Sequence, residues 1–329
     1  MTELVIEAEG LVKRYGDLEA VRGIDLEVRS GEIFGFLGPN GAGKSTTISM
    51  LCTLLTPTAG VARVAGIDVM KDPAAVRRRI GLVFQDPSLD DQLTGRENLE
   101  FHAFIYGVPA PERRRRIDEM LELLQLSDRA GSQVKTYSGG MKRRLEIARG
   151  MLHQPRVLFL DEPTLGLDPQ TRQTIWKHLN GLRDHKGVTI FMTTHYMDEA
   201  EYCDRIGVID RGKIVALGTP DELKAMVGGD VITITSSKPD VAVKEIEKVL
   251  GVTPSRNDGV LRMEVTDGKA FVPRLVRELK APVDTVSLRR PSLDDVFLKL
   301  TGHAIRDEEV SATDRNRAMA SRWTAGRRR

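Results

Sequence analysis

The sequence predicts an α/β fold: a mainly parallel sheet with crossover helices, followed by a small α+β module. Three observations carry this. Short β-type runs at 33–37, 157–160, 188–192 and 205–209 alternate with helical stretches over residues 1 to about 228, the pattern of parallel strands joined by helices. A second alternation of strands and helices begins near Gly228-Gly229. It stops after Gly302.

The elements follow in order. Residues 4–9 and 21–28 read as strands joined by a polar loop, an antiparallel edge to the sheet. The apolar run at 33–37 is the next strand, and 46–55 can form a helix. Residues 112–126 (ERRRRIDEMLELLQL) set Ile117, Met120, Leu121 and Leu124 on one helical face. The four arginines there are flanked by acids and read as a solvated face rather than an RNA-binding one. Beyond 229, residues 231–235, 261–265 and 283–288 read as strands. Val243, Ile246 and Leu250 mark one helix; Val272, Leu275, Val276 and Leu279 mark another. Leu293, Val296, Phe297 and Leu300 mark a closing helix, giving a two-layer, ferredoxin-like module. Residues 303–329 are polar, end in three arginines and read as a disordered tail. The expected division is therefore 1–228, 229–302 and 303–329.

Composition excludes some classes. The 49 basic and 47 acidic side chains leave a net +2, without the excess of a nucleic-acid binder. The start lacks a signal-peptide pattern, and no apolar run approaches the ~20 residues that span a bilayer. The expectation is a soluble chain, or one held at a membrane by a partner. Cys52 and Cys203 match no metal or redox spacing and fit a reduced compartment.

Two motifs carry chemistry. Gly38-Pro39-Asn40-Gly41-Ala42-Gly43-Lys44-Ser45 fits G-x-x-x-x-G-K-[ST] in full, with Thr46 behind it, between an apolar strand and a helix. Glycines let the backbone wrap phosphates, and the helix N-terminus adds N–H donors and a favourable dipole. Lys44 suits the outer phosphates and the Ser45 hydroxyl suits Mg²⁺. Residues 157–162 (VLFLDE) form a buried-type strand ending in two carboxylates. Asp161 suits Mg²⁺, usually through water. Glu162 suits polarising an attacking water.

Tyr137-Ser138-Gly139-Gly140-Met141 precedes a helical run at 142–149. Together with the two motifs it resembles the signature of the ABC ATPases, commonly LSGGQ. Here Tyr137 replaces Leu and Met141 replaces Gln, with the Ser-Gly-Gly centre intact. Order and spacing match that family over residues 1 to about 225. The resemblance implies a P-loop NTPase ABC cassette that binds and hydrolyses ATP. Its parts are a mixed-sheet core, an antiparallel N-terminal β subdomain and a helical subdomain at about 86–150. It also implies roles. Tyr15 stands where the family stacks a ring on adenine. Gln85, in VFQDP, resembles the Q-loop that joins Mg²⁺ to the helical subdomain. Residues 165–168 (LGLD), with Asp168, resemble the D-loop at a dimer seam. His195 resembles the switch histidine that contacts the γ-phosphate. Ser138, Gly139 and Gly140 imply a head-to-tail dimer, ATP lying between the phosphate loop of one copy and Ser138 and Gly140 of the other. ATP and Mg²⁺ are the implied cofactors.

Residues 93–99 (LTGRENL), the YSGGM form and residues 290–298 (RPSLDDVFL) resemble the daunorubicin-resistance type of drug-export ATPase. This implies a separate multi-span permease docked at about 86–106, a place on the cytoplasmic face of the cell membrane and export of a drug-like or hydrophobic compound. The competing reading is a soluble ABC ATPase acting on ribosomes or DNA. Translation factors of the family carry two cassettes, and this chain has one. DNA-repair relatives insert a long coiled coil, whereas about 90 residues without sustained heptads separate Lys44 from Ser138. A nucleotide-gated regulatory module is a third reading, opposed by the intact Glu162 and His195. No nucleic-acid partner is expected.

Overall fold

The structure is a computed structural model that describes residues 3–86, 88–257 and 260–302. The tail expected at 303–329 lies outside the described residues. Leu4–Tyr15 (β1) and Leu18–Arg29 (β2) form an antiparallel hairpin, Ile33–Leu37 (β3) leaves it, and Ala59–Val64 (β4) and Ile67–Asp68 (β5) return to it. The hairpin is not an edge of the main sheet. It builds a separate four-stranded antiparallel sheet in the order β2-β1-β4-β5. The reason is alternation: Ile24, Leu26 and Val28 are buried while their neighbours are exposed, so one face must cover a core.

The core sheet adds Ile80–Val83 (β6), Val157–Asp161 (β7), Thr189–Thr194 (β8), Arg205–Asp210 (β9) and Lys213–Gly218 (β10), in the order β10-β9-β3-β8-β7-β6. Only the β9–β10 pair is antiparallel. The strands β3, β7 and β8 are buried on both faces, which explains their continuous apolar runs. Alternate residues go to different layers. Phe34, Phe36, Phe159 and Phe191 pack beneath the antiparallel sheet, while Ile33, Leu37, Leu158, Leu160, Ile190 and Met192 pack beneath helices.

Lys44–Leu51 (α1) and Pro73–Arg79 (α2) share the layer of the phenylalanines, while the helices of the other layer are Gly95–Ile105 (α3), Ala110–Leu123 (α4), Gly139–Met151 (α5), Pro169–Lys186 (α6), Met197–Ala200 (α7) and Pro220–Ala225 (α8). A Thr94/Glu97 capping box starts α3. The predicted stripe Ile117, Met120, Leu121 and Leu124 is buried on α4 and just past its end. The α3–α5 segment lies between β6 and β7 in the chain.

Asp230–Thr235 (β11), Pro239–Leu250 (α9), Ser255–Asn257 (β12), Val260–Val265 (β13), Gly268–Glu278 (α10) and Thr285–Arg289 (β14) follow. This β-α-β-β-α-β order with an antiparallel sheet β12-β13-β11-β14 is the ferredoxin-like arrangement. Ile232, Ile234, Ala242, Ile246, Leu261, Met263 and Leu275 form its own core.

Leu293–Thr301 (α11), anticipated as the helix that closes this module, turns away from it. Leu293, Val296 and Phe297 join the larger core with Met197, Ala200, Ala216, Leu223 and Val227. Lys299 Nζ donates to the Val227 carbonyl at 2.5 Å. Toward the module, Asp295 accepts from Arg289 and from Arg262. The helix is thus a strap, apolar on one side and ion-paired on the other. Because Phe297 is fully buried, Phe297→Ala is expected to cost about 3–5 kcal/mol in urea unfolding. A cost within the ordinary surface range would contradict this packing.

Candidate active site

The strand β3 runs into the phosphate loop, and α1 begins at Lys44. The turn demands glycine: Gly43 caps α1 at φ 109, and a Cβ there would lie 2.7 Å from the Ala20 carbonyl oxygen of β2. Gly38 N–H donates to Thr194 O at 3.2 Å, tying the loop to the end of β8. Lys44 is buried. Its Nζ donates to Gly38 O at 2.7 Å and Pro39 O at 3.1 Å, and it lies 3.4 Å from the Glu162 carboxylate. Burial lowers its pKa below the ordinary lysine value, against the opposing pull of Glu162 and then Asp161. A buried cation and a helix N-terminus therefore share one loop, a combination that favours an anion.

The end of β7 forms the facing wall. Asp161 Oδ1 accepts from Thr193 Oγ1 at 2.5 Å and from Ser45 Oγ at 3.2 Å. Glu162 turns away from it because its backbone is left-handed, with φ 46. That conformation costs a non-glycine residue about 1–3 kcal/mol and persists where its surroundings hold it. Glu162 Oε1 lies 3.2 Å from His195 Nδ1. Burial pushes the Glu162 carboxyl up, but the His195 hydrogen bond and the Lys44 charge outweigh it and hold it below the usual glutamate value. The group is ionised near neutral pH and can accept a proton or orient water.

The hydroxyl of Thr193 joins the two carboxylates. It donates to Asp161 and accepts the Glu162 N–H at 3.0 Å. Sequence reasoning missed it; the polar pair Thr193-Thr194 ending an apolar strand was the available signal. Ser45 Oγ and Asp161 Oδ1 are hard oxygens of the kind Mg²⁺ takes, one or two from protein and the rest from phosphate and water. Among the described residues no group of three or more His, Cys, Asp or Glu could hold a metal alone.

The other predicted residues stand apart from this cluster. Tyr15 is half-exposed at the hairpin tip opposite Leu18, on the hairpin whose second strand crosses the loop at Ala20. Gln85 is exposed just beyond β6. Ser138 caps α5, accepting the Met141 N–H at 3.3 Å, and both it and Gly139 are exposed. Gly140 has no room for a side chain: a Cβ would lie 2.3 Å from Thr171 Cγ2. Asp168 caps α6 through the Thr171 N–H at 3.0 Å. The segments 138–140 and 165–168 thus share a patch. Among the described residues no hydrogen bond or ion pair joins 138–140 to the phosphate loop at 38–46, so the two segments are separate within one chain. On α3 and just after it, Phe101, Phe104, Ile105 and Tyr106 are exposed, as is Phe84, while Leu99 and Ala103 face the core.

Comparison with known proteins agrees with this geometry. Residues 21–165 match the ABC transporter family, and residues 218–301 match the C-terminal domain of DrrA1-3-like ATP-binding proteins. The chain is 43% identical over 317 residues to the daunorubicin resistance ATP-binding protein DrrA3 of Streptomyces coeruleorubidus, covering 94% of this chain and 100% of that one. Among solved structures, cbiO1 from Clostridium perfringens, part of the ABC transporter complex cbiONQ, superposes with a TM-score of 0.64 at 30% identity, covering 76% of this chain and 96% of that one. A dimeric post-hydrolysis state of the cassette MJ0796 bound to ADP and Pi gives a TM-score of 0.59 at 29% identity, covering 65% and 98%.

Lys44→Ala removes the buried cation and leaves Glu162 without it. Isothermal calorimetry is expected to show ATP affinity reduced roughly 10–100-fold, the range for a lost charge-assisted contact. Unchanged affinity would refute the phosphate-loop assignment.

Proposed function

The chain belongs to the ABC transporter ATP-binding proteins and is an ABC ATPase subunit, and from that premise we propose that it drives a separate permease to export a drug-like or hydrophobic compound. The observation that carries the mechanism is the Lys44–Glu162–His195 cluster, coupled through Asp161 and Ser45 to the phosphate loop. In this reading residues 38–46 hold the triphosphate and Tyr15 stacks on adenine. Ser45, Asp161 and the Gln85 segment would hold Mg²⁺, which supplies neutralising charge to the phosphates. Glu162 polarises the attacking water, and His195 steadies it and contacts the γ-phosphate. The exposed N-terminus of α5, with Ser138, Gly139 and Gly140 of a second copy, closes the site, and Asp168 sits at the seam. ATP is bound more tightly by two copies than by one. Hydrolysis removes the shared γ-phosphate contact and loosens the pair.

We assign the ATP-binding unit to 1–228 and the accessory unit to 229–302, the latter anchored through α11. Among the described residues no helix is long and apolar enough to cross a membrane. The exposed Phe101, Phe104, Ile105, Tyr106 and Phe84 suit the permease contact, which would hold the chain at the cytoplasmic face of the membrane. The daunorubicin resistance of the relative DrrA3 supports a drug-like cargo.

Glu162→Gln is expected to retain ATP binding and lose roughly 10²–10⁴-fold in turnover, the range for general-base removal. Wild-type turnover in that variant would take Glu162 out of the role. Specific activity should also rise with protein concentration until the dimer is saturated. Activity strictly proportional to concentration, far below any measurable dimer affinity, would remove the paired mechanism.

A further inference from the structure

The helix α5 buries three charged side chains that no part of the site uses: Arg143 is 6% exposed, Glu146 0% and Arg149 6%. Each has defined partners. Arg143 donates to Pro163 O through Nε at 2.6 Å, to Asp161 O through Nη2 at 3.1 Å and to Phe84 O through Nη1 at 2.5 Å. It also pairs with Glu146 at 3.2 Å. Glu146 accepts the Ser88 N–H at 2.9 Å, and Arg149 donates to Ser88 O at 2.8 Å.

We propose that Arg143, held by Glu146, is a positioning residue that fixes the Glu162 backbone and couples it to the Phe84–Gln85 segment. The inference deepens the assignment of Glu162 as the water-polarising group and rests on it. Its core is that one guanidinium takes the carbonyls on both sides of Glu162, at Asp161 and Pro163. The left-handed Glu162 is otherwise held on its N–H by Thr193. A strained residue stays put only if its surroundings hold it. The peptide before Glu162 is held at its carbonyl by Arg143 and at its N–H by Thr193, and Arg143 also fixes the carbonyl one residue beyond. The third carbonyl, Phe84 O, immediately precedes Gln85. Ser88, three residues beyond Gln85, is held by Glu146 and Arg149, so the segment around Gln85 is clamped at both ends by the same helix. Its N-terminus is Ser138, which in the proposed dimer meets the second copy's nucleotide. One rigid element thus joins the permease-side segment, the far half-site and Glu162.

The residue types fit the task. Arginine presents five donors in a planar fork, enough for three carbonyls and a carboxylate; lysine offers three on one atom and cannot span them. Stability alone is a weak reason to bury such a group, because replacing a buried ion pair with apolar residues is often neutral or stabilising. A requirement for position accounts for it.

The test uses the full chain in three forms: Arg143→Lys, the double variant Arg143→Met with Glu146→Leu, and Glu162→Gln as reference. The double variant removes Arg143 together with its partner Glu146; Arg149 loses its 3.9 Å contact with Glu146 but keeps its bond to the Ser88 carbonyl. Steady-state hydrolysis should show kcat lowered roughly 10²-fold in both Arg143 variants, the cost of a small misplacement at the reacting centre. KM for ATP should stay near the parent value, since uniform binding is untouched. Hydrogen exchange should quicken together in the peptides covering 84–88 and 161–163. Parental kcat in a folded double variant would overturn the proposal. So would full rescue by lysine, or a parallel fall of kcat, ATP affinity and thermal stability, which marks a purely structural role. Wild-type turnover in Glu162→Gln would sink the underlying assignment instead. An inactive Glu162→Gln beside active Arg143 variants would sink only this inference.

Discussion

The side-by-side parallel order of β3, β8 and β7 is the constraint on which the rest of the molecule depends. Parallel strands end on the same side, so three C-terminal ends meet along one edge of the sheet. Leu37 lies opposite Thr194, and Thr193 lies opposite Asp161. The phosphate loop leaves the first strand, Thr193 to His195 end the second, and Asp161-Glu162 end the third. Nothing local to any one segment brings these groups within hydrogen-bond reach. The apolar residues that bury the strands on both faces do so, by fixing register. A slip of one residue would exchange the two faces and carry the carboxylates away from Ser45 and Lys44.

Bringing charges together at a buried edge creates a cost that must be met by partners. The edge meets it with hydroxyls as well as ions. Thr193 serves both Asp161 and Glu162. One strand position later, Thr194 donates to the buried Glu199 of α7 at 2.8 Å, and Thr164 donates to the same carboxylate from beyond Glu162. Burial pushes the Glu199 carboxyl up, and those two hydroxyl bonds oppose it. A single acid therefore spans the loop after Glu162 and the strand end before His195. Met197 and Ala200 of the same short helix share a core with Phe297, Val296 and Leu293 of α11. The helix α11 is thus in packing continuity with the segment that follows His195, and it reaches the C-terminal module through Asp295.

How much of this was legible in the sequence follows from how local each signal is. The core strands were legible because burial on both faces leaves runs such as IFGFL and VLFL with no polar gap. The phosphate loop and the carboxylate pair were legible because each function sits in one short segment. The hairpin of β1 and β2 was read too short: register irregularities break its alternation between residues 8 and 14, where a polar loop was inferred. The three-residue strand β12 (Ser-Arg-Asn) carries no apolar pattern and exists through its pairing with β13. Arg143, Glu146 and Thr193 were invisible for a different reason. Their meaning lies in carbonyls and carboxylates 18 to 59 residues away in sequence. The apolar stripe of α11 was legible, but a stripe does not say which core it joins.

In the proposed dimer the phosphate loop of one copy and the start of α5 of the other pose one electrostatic problem. The phosphate loop offers a buried lysine and a helix N-terminus. The other offers the exposed N-terminus of α5, which has no acid in its first turn; Lys142, on that helix, is ion-paired with Asp91 at 2.7 Å. Both are sites for negative charge, and in one chain they are not joined. Lys44 is offset by Glu162 and Asp161, and Lys142 by Asp91, so neither surface carries a strong charge of its own with which to hold the other. An anion between them is favourable to both helix N-termini at once. In the proposed dimer the triphosphate has this position, and its terminal phosphate is the part nearest the second copy. Removing that phosphate takes away the charge that both surfaces would bind. In that proposal the charge that closes the pair is the one that hydrolysis removes.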